Sequence, residues 1–430
     1  MVLYFLFSLI PLLLLARRHT EFSVLSAYFI INWLAISASV LISSLANAEL
    51  VELGTTAEAN QAAPVFNLFL ALFLFSAAHT YRKLRLVCLT SRRHRKPSTE
   101  KIEQQLLSGL LVVTLLIAAA SLMPAPPLLS GTPVSEYLAT LNSVQKFSFV
   151  SLSICALPLS SLARQKYLAK EWAGPAATFA TLLPGCMWIL AGEKMGYLLF
   201  ILFCAALPWL HRAAVDWKRT KWPLVVAGFV VTSLTLLQYA LRDEDPLLML
   251  AARAAMQGQL WYYFYLEAPA IQPIFAGLRF LFGASGVDTL RAMMEIVMPA
   301  QLLLEYETAA MTGSHLPSLL HAFGWVLLPV ASVIAGVLFG VGTTLLRLAV
   351  QAGYSLLSYL IVASFVFPGI EVWVAGNFSR LTTLPPTFFV FTVASLVLLF
   401  GRIRIRTAAT PSRGSPVRES AYKHRLNQQL

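Results

Sequence analysis

The sequence predicts an all-α polytopic membrane protein, and three observations carry that prediction. Hydrophobic residues make up 58% of the 430 positions and charged residues only 12%, with a mean hydropathy of +0.70; a soluble domain carries about a quarter charged residues. Apolar stretches long enough to cross a hydrocarbon core of about 30 Å recur along the whole chain. The basic residues sit in short runs between these stretches and favour alternate ones. The formal charge of +12 is therefore an orientation signal and not the clustered footprint of a nucleic-acid-binding domain. Four cysteines without a CxxC spacing imply no disulfide framework: Cys155, Cys186 and Cys204 fall in predicted spans and Cys88 in a basic loop.

In chain order the predicted spans are 2–16, 24–46, 64–81, 106–123, 147–163, 174–191, 196–210, 223–241, 322–346, 349–373 and 384–400, which makes eleven helices. In the first, Arg17 and Arg18 follow the apolar stretch, unlike the order in a cleaved signal peptide. The run from Gly174 to Leu210 holds only two charges, Glu193 and Lys194. As one helix it would be roughly 55 Å long, so it reads as two spans joined by a tight turn between Gly192 and Gly196. Placing residues 17–23 inside puts 25 of the Lys and Arg residues inside and seven outside, with six acids inside and fourteen outside. That split predicts an extracytoplasmic N-terminus, a cytoplasmic C-terminus and a Glu193–Lys194 turn facing outward.

The domain organisation follows. Residues 1–401 form an integral membrane domain, and 402–430 a basic tail containing Pro and Ser, expected to be disordered on an anionic cytoplasmic face. Within the domain, residues 242–321 form one large outside loop. It reads LLMLAARAAMQGQLWYYFYLEAP, then IFAGLRFLFG, then TLRAMMEIVMPAQLLLEYE, with Pro246, Pro269, Pro273 and Pro299 as breaks. These patterns predict short amphipathic helices on the outer leaflet; the alternative is a further pair of spans at 247–266 and 270–283.

Candidate functional residues concentrate outside. Lys194 runs against the positive-inside grain, and Glu193 is a poor partner because adjacent residues on a helix do not face each other. It reads either as an interfacial lysine or as a binder of an anionic ligand. Arg253, near Gln257, Gln259 and the aromatic block that includes Trp261 and Tyr262, offers a fork of donors suited to phosphate, or a salt bridge to Glu267 or the RDED cluster. Glu305, Glu307 and His315 precede the return to the membrane and are candidate general bases, with His321 behind them. Glu371 and Arg380 lie near the outer end of the tenth span and could complete a polar ring. Residues 377–379, NFS, match a glycosylation sequon, a common chance match. No DxD, HExxH or His-rich tract is present, so no metal or other cofactor is expected.

A basic residue in a Gly-flanked outside turn, an arginine opening a large outside loop, and the pattern T-G-S-x-x-x-x-L-x-x-x-F-G at its end (Thr312, Gly313, Ser314, Leu319, Phe323, Gly324) together resemble the O-antigen polymerases, and more loosely the O-antigen ligases. Residues 192–196 read GEKMG where the family has a GSRG-like turn, so Lys194 stands for an arginine, and the loop arginine matches Arg253. The ligases' loop histidine corresponds to His315, but Leu316 stands where they carry Asn. The resemblance implies a GT-C-like fold in the bacterial inner membrane. It further implies metal-independent glycosyl transfer between polyprenyl-pyrophosphate-linked oligosaccharides, in which Lys194 and Arg253 hold the pyrophosphate and the aromatics position the sugars. The implied partners are those lipid-linked glycans, membrane lipids and a chain-length regulator, without nucleic acid. A lipid-linked oligosaccharide flippase is the alternative from another class; it would line several spans with mid-membrane charge.

Overall fold

Every predicted apolar run that falls on described residues is helical. The computed structural model describes residues 2–47, 49–50, 55–56, 61–85, 87–90, 97–122, 126–127, 137, 139–171, 173–191, 196–213, isolated positions between 229 and 245, 257–283, 288–305, 313–353, 356–383 and 404–407. The helices are α1 (Val2–Arg18), α2 (Thr20–Leu25), α3 (Ala27–Ala46), α4 (Ala62–Leu84), α5 (Pro97–Leu122), α6 (Ser143–Ile154), α7 (Ala156–Leu168), α8 (Ala173–Leu190) and α9 (Gly196–Ala213). After the loop come α14 (His315–Ala352) and α15 (Leu356–Ala375), the latter containing two π-helical turns at Val362–Val366 and Ile370–Ala375. Among the described residues, five helices are long and apolar enough to cross a membrane: Ala27–Ala46, Ala62–Leu84, Ser143–Leu168, His315–Ala352 and Leu356–Ala375. The chain is a multi-pass membrane protein. The expected spans at 223–241 and 384–400 lie largely or wholly outside the described residues.

The run from Gly174 to Leu210 is broken as expected: α8 ends at Leu190 and α9 begins at Gly196. The loop is helical, with α10 (Gln259–Glu267), α11 (Ile274–Leu281), α12 (Thr289–Val297) and α13 (Ala300–Glu305). Prolines bound them, because Pro273 sits at the N-cap of α11 and Pro269 and Pro299 lie in the connections. With nine and eight residues, α10 and α11 are too short to be the alternative pair of spans. On α11, Ile274, Phe275 and Leu278 are exposed while Gly277 packs inward, the pattern of an interfacial helix.

Among the described residues, four short strands accompany the helices. β1 (Glu49–Leu50) and β2 (Thr55–Thr56) form an antiparallel pair, and β3 (Val87–Thr90) pairs antiparallel with β4 (Arg404–Thr407), Cys88 opposite Arg406. The tail expected to be disordered from 402 thus contributes a strand, since β-branched Ile405 and Thr407 alternate with arginines beside another short β-prone run.

The centre of the bundle is α14 against α4. An added Cβ at Gly336 would lie 2.3 Å from the Phe73 carbonyl oxygen, and one at Gly340 2.5 Å from that of Ala77. Small residues at i and i+4 let the two backbones approach where lipid supplies no hydrophobic drive for association. α10 docks on the same bundle: Trp261 donates its indole N–H to the Ala62 carbonyl at 2.8 Å, and the Gly258 amide donates to Ser39 Oγ at 2.9 Å.

The ninth span departs from expectation at its start. α14 begins at His315, and Gly324 within it has φ 71° and ψ 178°, a conformation essentially confined to glycine. Gly324 therefore separates a half-helix, 315–323, from the span proper. The interrupted ladder is repaired from the loop, because Trp325 N donates to Pro269 O (3.2 Å) and Val326 N to Ala270 O (3.0 Å), while Gln272 N donates to Phe323 O (3.3 Å). The half-helix folds back along α14: the His315 ring lies 4.2 Å from that of Phe73, whose carbonyl faces Gly336, beyond the break.

Candidate functional site

The half-helix delivers His315 into the interior. Ser314 caps it, its Oγ accepting from Leu316 N at 3.3 Å, with Ser314 itself at φ 68°. Two elements hold that strained residue. Its amide donates to Val374 O at 3.0 Å, and Gly376, at φ 86°, lets the chain pass over the Ser314 carbonyl where a Cβ would come within 2.3 Å. The π-helical end of α15 leaves carbonyls without their usual intrahelical partners, and neighbours use them. The Trp373 carbonyl accepts from the Trp33 indole at 2.8 Å and from His315 Nδ1 at 3.3 Å.

His315 is fully buried, enclosed by the rings of Trp33, Phe73 and Trp373 at 5.3, 4.2 and 5.6 Å. A carbonyl can only accept, so Nδ1 carries the proton and Nε2 presents a lone pair. Nε2 has no hydrogen-bond partner among the described residues. This is not the water-facing loop end at which the sequence placed this histidine. The half-helix turns it inward because its Leu316, Leu319 and Leu320 are as apolar as any span. His321, half-buried, packs between Phe264 and Phe280 at 4.9 and 4.5 Å.

Above the aromatic enclosure lies a polar node that joins the loop to the end of α15. Asp288 caps α12 through Oδ1, which accepts from Leu290 N at 3.0 Å. Its Oδ2 accepts from Asn377 Nδ2 at 2.8 Å and faces Arg380 Nε at 3.4 Å. Ser379 Oγ donates to Asn377 Oδ1 (2.7 Å) and accepts from Thr289 N (3.1 Å), and Ser379 N donates to Thr289 Oγ1 (3.0 Å). Arg380 starts the short helix α16 (Arg380–Thr383), and its side chain is 43% exposed, so it keeps donors for another anion. Its partner is Asp288 rather than Glu371, whose backbone carbonyl accepts from Asn377 N. Asn377 is buried and its amide is used, which removes the NFS sequon as a modification site.

The other sequence-predicted residues separate. Trp261 and Tyr262 are buried in the bundle. Gln257 is half-buried at the turn before α10, and Glu305 ends α13. Lys194, Arg253 and Glu307 lie outside the described residues. The structure therefore brings His315 and Arg380 to one end of the bundle and adds Asp288, Asn377 and Ser379; the sequence marked Asn377 and Ser379 only as a chance sequon and Asp288 not at all, because some 90 residues separate the partners.

An apolar groove of about 620 Å³ opens beside this node. α14 forms one wall from Leu327 to Leu345, α15 the other from Ser364 to Trp373, and Ile274, Leu278 and Phe282 of the α11 region close the end near Phe378 and Leu381. The wall supplied by α14 corresponds to about 27 Å of helix, close to the hydrocarbon thickness of a bilayer.

At the opposite end of the bundle, Glu21 ties four helices together. Its Oε1 lies 3.0 Å from His211 Nε2 and 3.1 Å from Arg347 Nε, and Arg347 also donates to the Arg85 carbonyl. The hydrogen bond with His211, then the Arg347 charge, hold the Glu21 carboxyl down to about 2 against the opposing effect of burial. The chain matches no protein-family model, no curated protein and no solved structure.

Proposed function

We propose that this protein is a metal-independent glycosyltransferase that polymerises polyprenyl-pyrophosphate-linked oligosaccharide repeat units at the outer face of the bacterial inner membrane. The observation that carries the reading is the groove. A hydrocarbon-lined channel about as long as a bilayer is thick, with Arg380 and Asp288 at one end, suits a substrate that joins a long isoprenoid chain to an anionic head. Such a chain has no reason to enter a pocket made for a soluble metabolite.

In this reading the acceptor hydroxyl attacks C1 of the donor sugar. The new C1–O bond replaces the bond to the pyrophosphate, polyprenyl pyrophosphate leaves, and the hydroxyl proton passes to a base. Lys194 and Arg253 neutralise the leaving group, and Arg380 steers the head toward them. Glu305, Glu307 and His315 remain the candidate bases; for His315 the free Nε2 lone pair favours the role, and its enclosure requires the half-helix to shift before a hydroxyl can reach it. The inward-facing C-terminus and a chain-length-regulating partner belong to the same proposal, and a ligase activity is an alternative to it.

The flippase alternative asks for polar side chains along an open path. Of the buried hydroxyls on α6 and α15, Ser148, Ser153 and Ser364 donate within their own helices, to Val144 O, Phe149 O and Leu360 O. The test is the surface-glycan profile of cells with and without the gene. Collapse of a ladder to a single-unit band supports polymerisation, loss of all capped lipid A supports ligation, and an unchanged profile removes both.

A further inference from the structure

The basic end of the bundle carries more charge than its own packing uses. α1 and α4 lie side by side and end at the same level, with Arg17 and Arg18 in the last turn of α1, Arg82 and Lys83 in the last turn of α4, and Arg85 just beyond. All five are exposed, and none has a carboxylate partner among the described residues. The acid nearest in sequence, Glu21, is already engaged by His211 and Arg347. The charges converge: Arg82, Arg18 and Arg85 all act on His19, which, after burial, they push further below its ordinary value. Two helix C-termini contribute about half a negative charge each, so roughly four of the five positive charges stay uncompensated.

Next to this cluster α1 presents a continuous apolar ridge. Leu3, Leu6, Ile10 and Leu13 are exposed and recur at helical spacing up to Arg17. α4 offers a second ridge, with exposed Leu68 and Phe75 below exposed Arg82. An exposed apolar strip that ends in unpaired guanidinium groups has the two-part chemistry of a phospholipid: hydrocarbon along the ridge and phosphate at its end.

We propose that the paired ends of α1 and α4 bind the phosphate headgroup of an anionic phospholipid, with its acyl chains along the Leu3–Leu13 ridge. This site lies at the far end of the bundle from the Arg380 node, and it stands whether or not the protein transfers sugars. A bound headgroup relieves the mutual repulsion of Arg18, Arg82 and Arg85 and fastens α1 to α4 at the end where Glu21 and Arg347 already join α2 to α14.

The test uses the full-length purified protein, delipidated in neutral detergent and titrated with phosphatidylglycerol, phosphatidylcholine or inorganic phosphate, with bound lipid counted by native mass spectrometry and the unfolding temperature followed. The expected result is that phosphatidylglycerol binds and raises the unfolding temperature, phosphatidylcholine does neither, and rising salt abolishes the difference. The Arg18→Gln, Arg82→Gln, Arg85→Gln triple variant should bind about a hundredfold more weakly, from about fivefold per neutralised cation. Lys166→Gln with Lys170→Gln, at the separate basic C-terminal end of α7, should bind as wild type. If the triple variant does not fold, the salt dependence and lipid selectivity of the wild type decide the matter. Equal binding of the two lipids, binding unaffected by the triple substitution, or an equal shift with inorganic phosphate overturns the proposal, the last pointing to a soluble-anion site.

Discussion

Replacing Gly324 by Ala tests the half-helix that positions His315 and the rim of the groove. The added Cβ must adopt φ 71° and ψ 178°, which costs about 1–3 kcal/mol for a residue other than glycine. It would also stand 2.7 Å from the Pro269 carbonyl oxygen and 2.8 Å from that of Ala270. Those oxygens accept from Trp325 N and Val326 N, and losing both bonds adds about 1 kcal/mol each. The sum is about 3–5 kcal/mol of destabilisation. Gly342 lies on the same helix, and an added Cβ there would meet nothing within 4 Å, so Gly342→Ala gains up to about 1 kcal/mol of helix propensity. Unfolding of the two purified variants in one detergent should therefore shift in opposite directions from wild type. If Gly324→Ala unfolds with the wild type, or if both variants move together, the break at Gly324 is not what holds the half-helix.

The other predictions concern separate parts of the molecule. Gly336→Ala should cost about 1–3 kcal/mol, because its Cβ meets the Phe73 carbonyl at 2.3 Å, and unfolding in detergent checks it. The Glu21 carboxyl is held below its ordinary value, so its stabilisation is fully present above about 4.5 and is lost as pH falls toward about 2. With a third of the side chain exposed, the effect after screening is about 1–2 kcal/mol. Glu21→Gln should flatten that part of the stability–pH profile, and an unchanged profile would refute the assignment. Leu338→Trp, which fills the groove from an exposed position, should raise KM for a lipid-linked substrate at least tenfold with little change in unfolding. Arg380→Gln, Lys194→Ala and Arg253→Ala should each lower transfer sharply in folded protein, whereas wild-type rates in any of them would remove that residue from the site.

The apolar helices were legible because a run of apolar residues in lipid has no alternative to a helix. The turn between α8 and α9 was legible because arithmetic on length forced it, and the loop helices because prolines bound them. The half-helix was not legible. Residues 315–323 are apolar and read as the approach to a span, and nothing local distinguishes a glycine inside a helix from one that reverses the chain at φ 71°; only the carbonyls of Pro269 and Ala270, far earlier in the chain, decide it. The T-G-S…L…F-G pattern now has a physical meaning in this chain. Gly313 packs on Leu260, Ser314 caps, Leu319 and Phe323 line the groove, and Gly324 turns. The placement of the aromatic block was not legible either: α10 docks against α3 and α4 and buries Trp261 and Tyr262. Asp288 was invisible because its partners, Asn377 and Arg380, come from the far side of α14 in sequence.

Reconstituted transfer tests the functional proposal most directly. The purified protein in liposomes receives a polyprenyl-pyrophosphate-linked repeat unit, a chelator and no nucleotide sugar, and both glycan length and released polyprenyl pyrophosphate are measured. The expected result is products that grow by one whole repeat at a time, with one polyprenyl pyrophosphate released per bond formed and the number of glycan-bearing lipids falling by one. A strict need for a divalent ion, or movement of the substrate across the bilayer without any new glycosidic bond, would contradict the proposal.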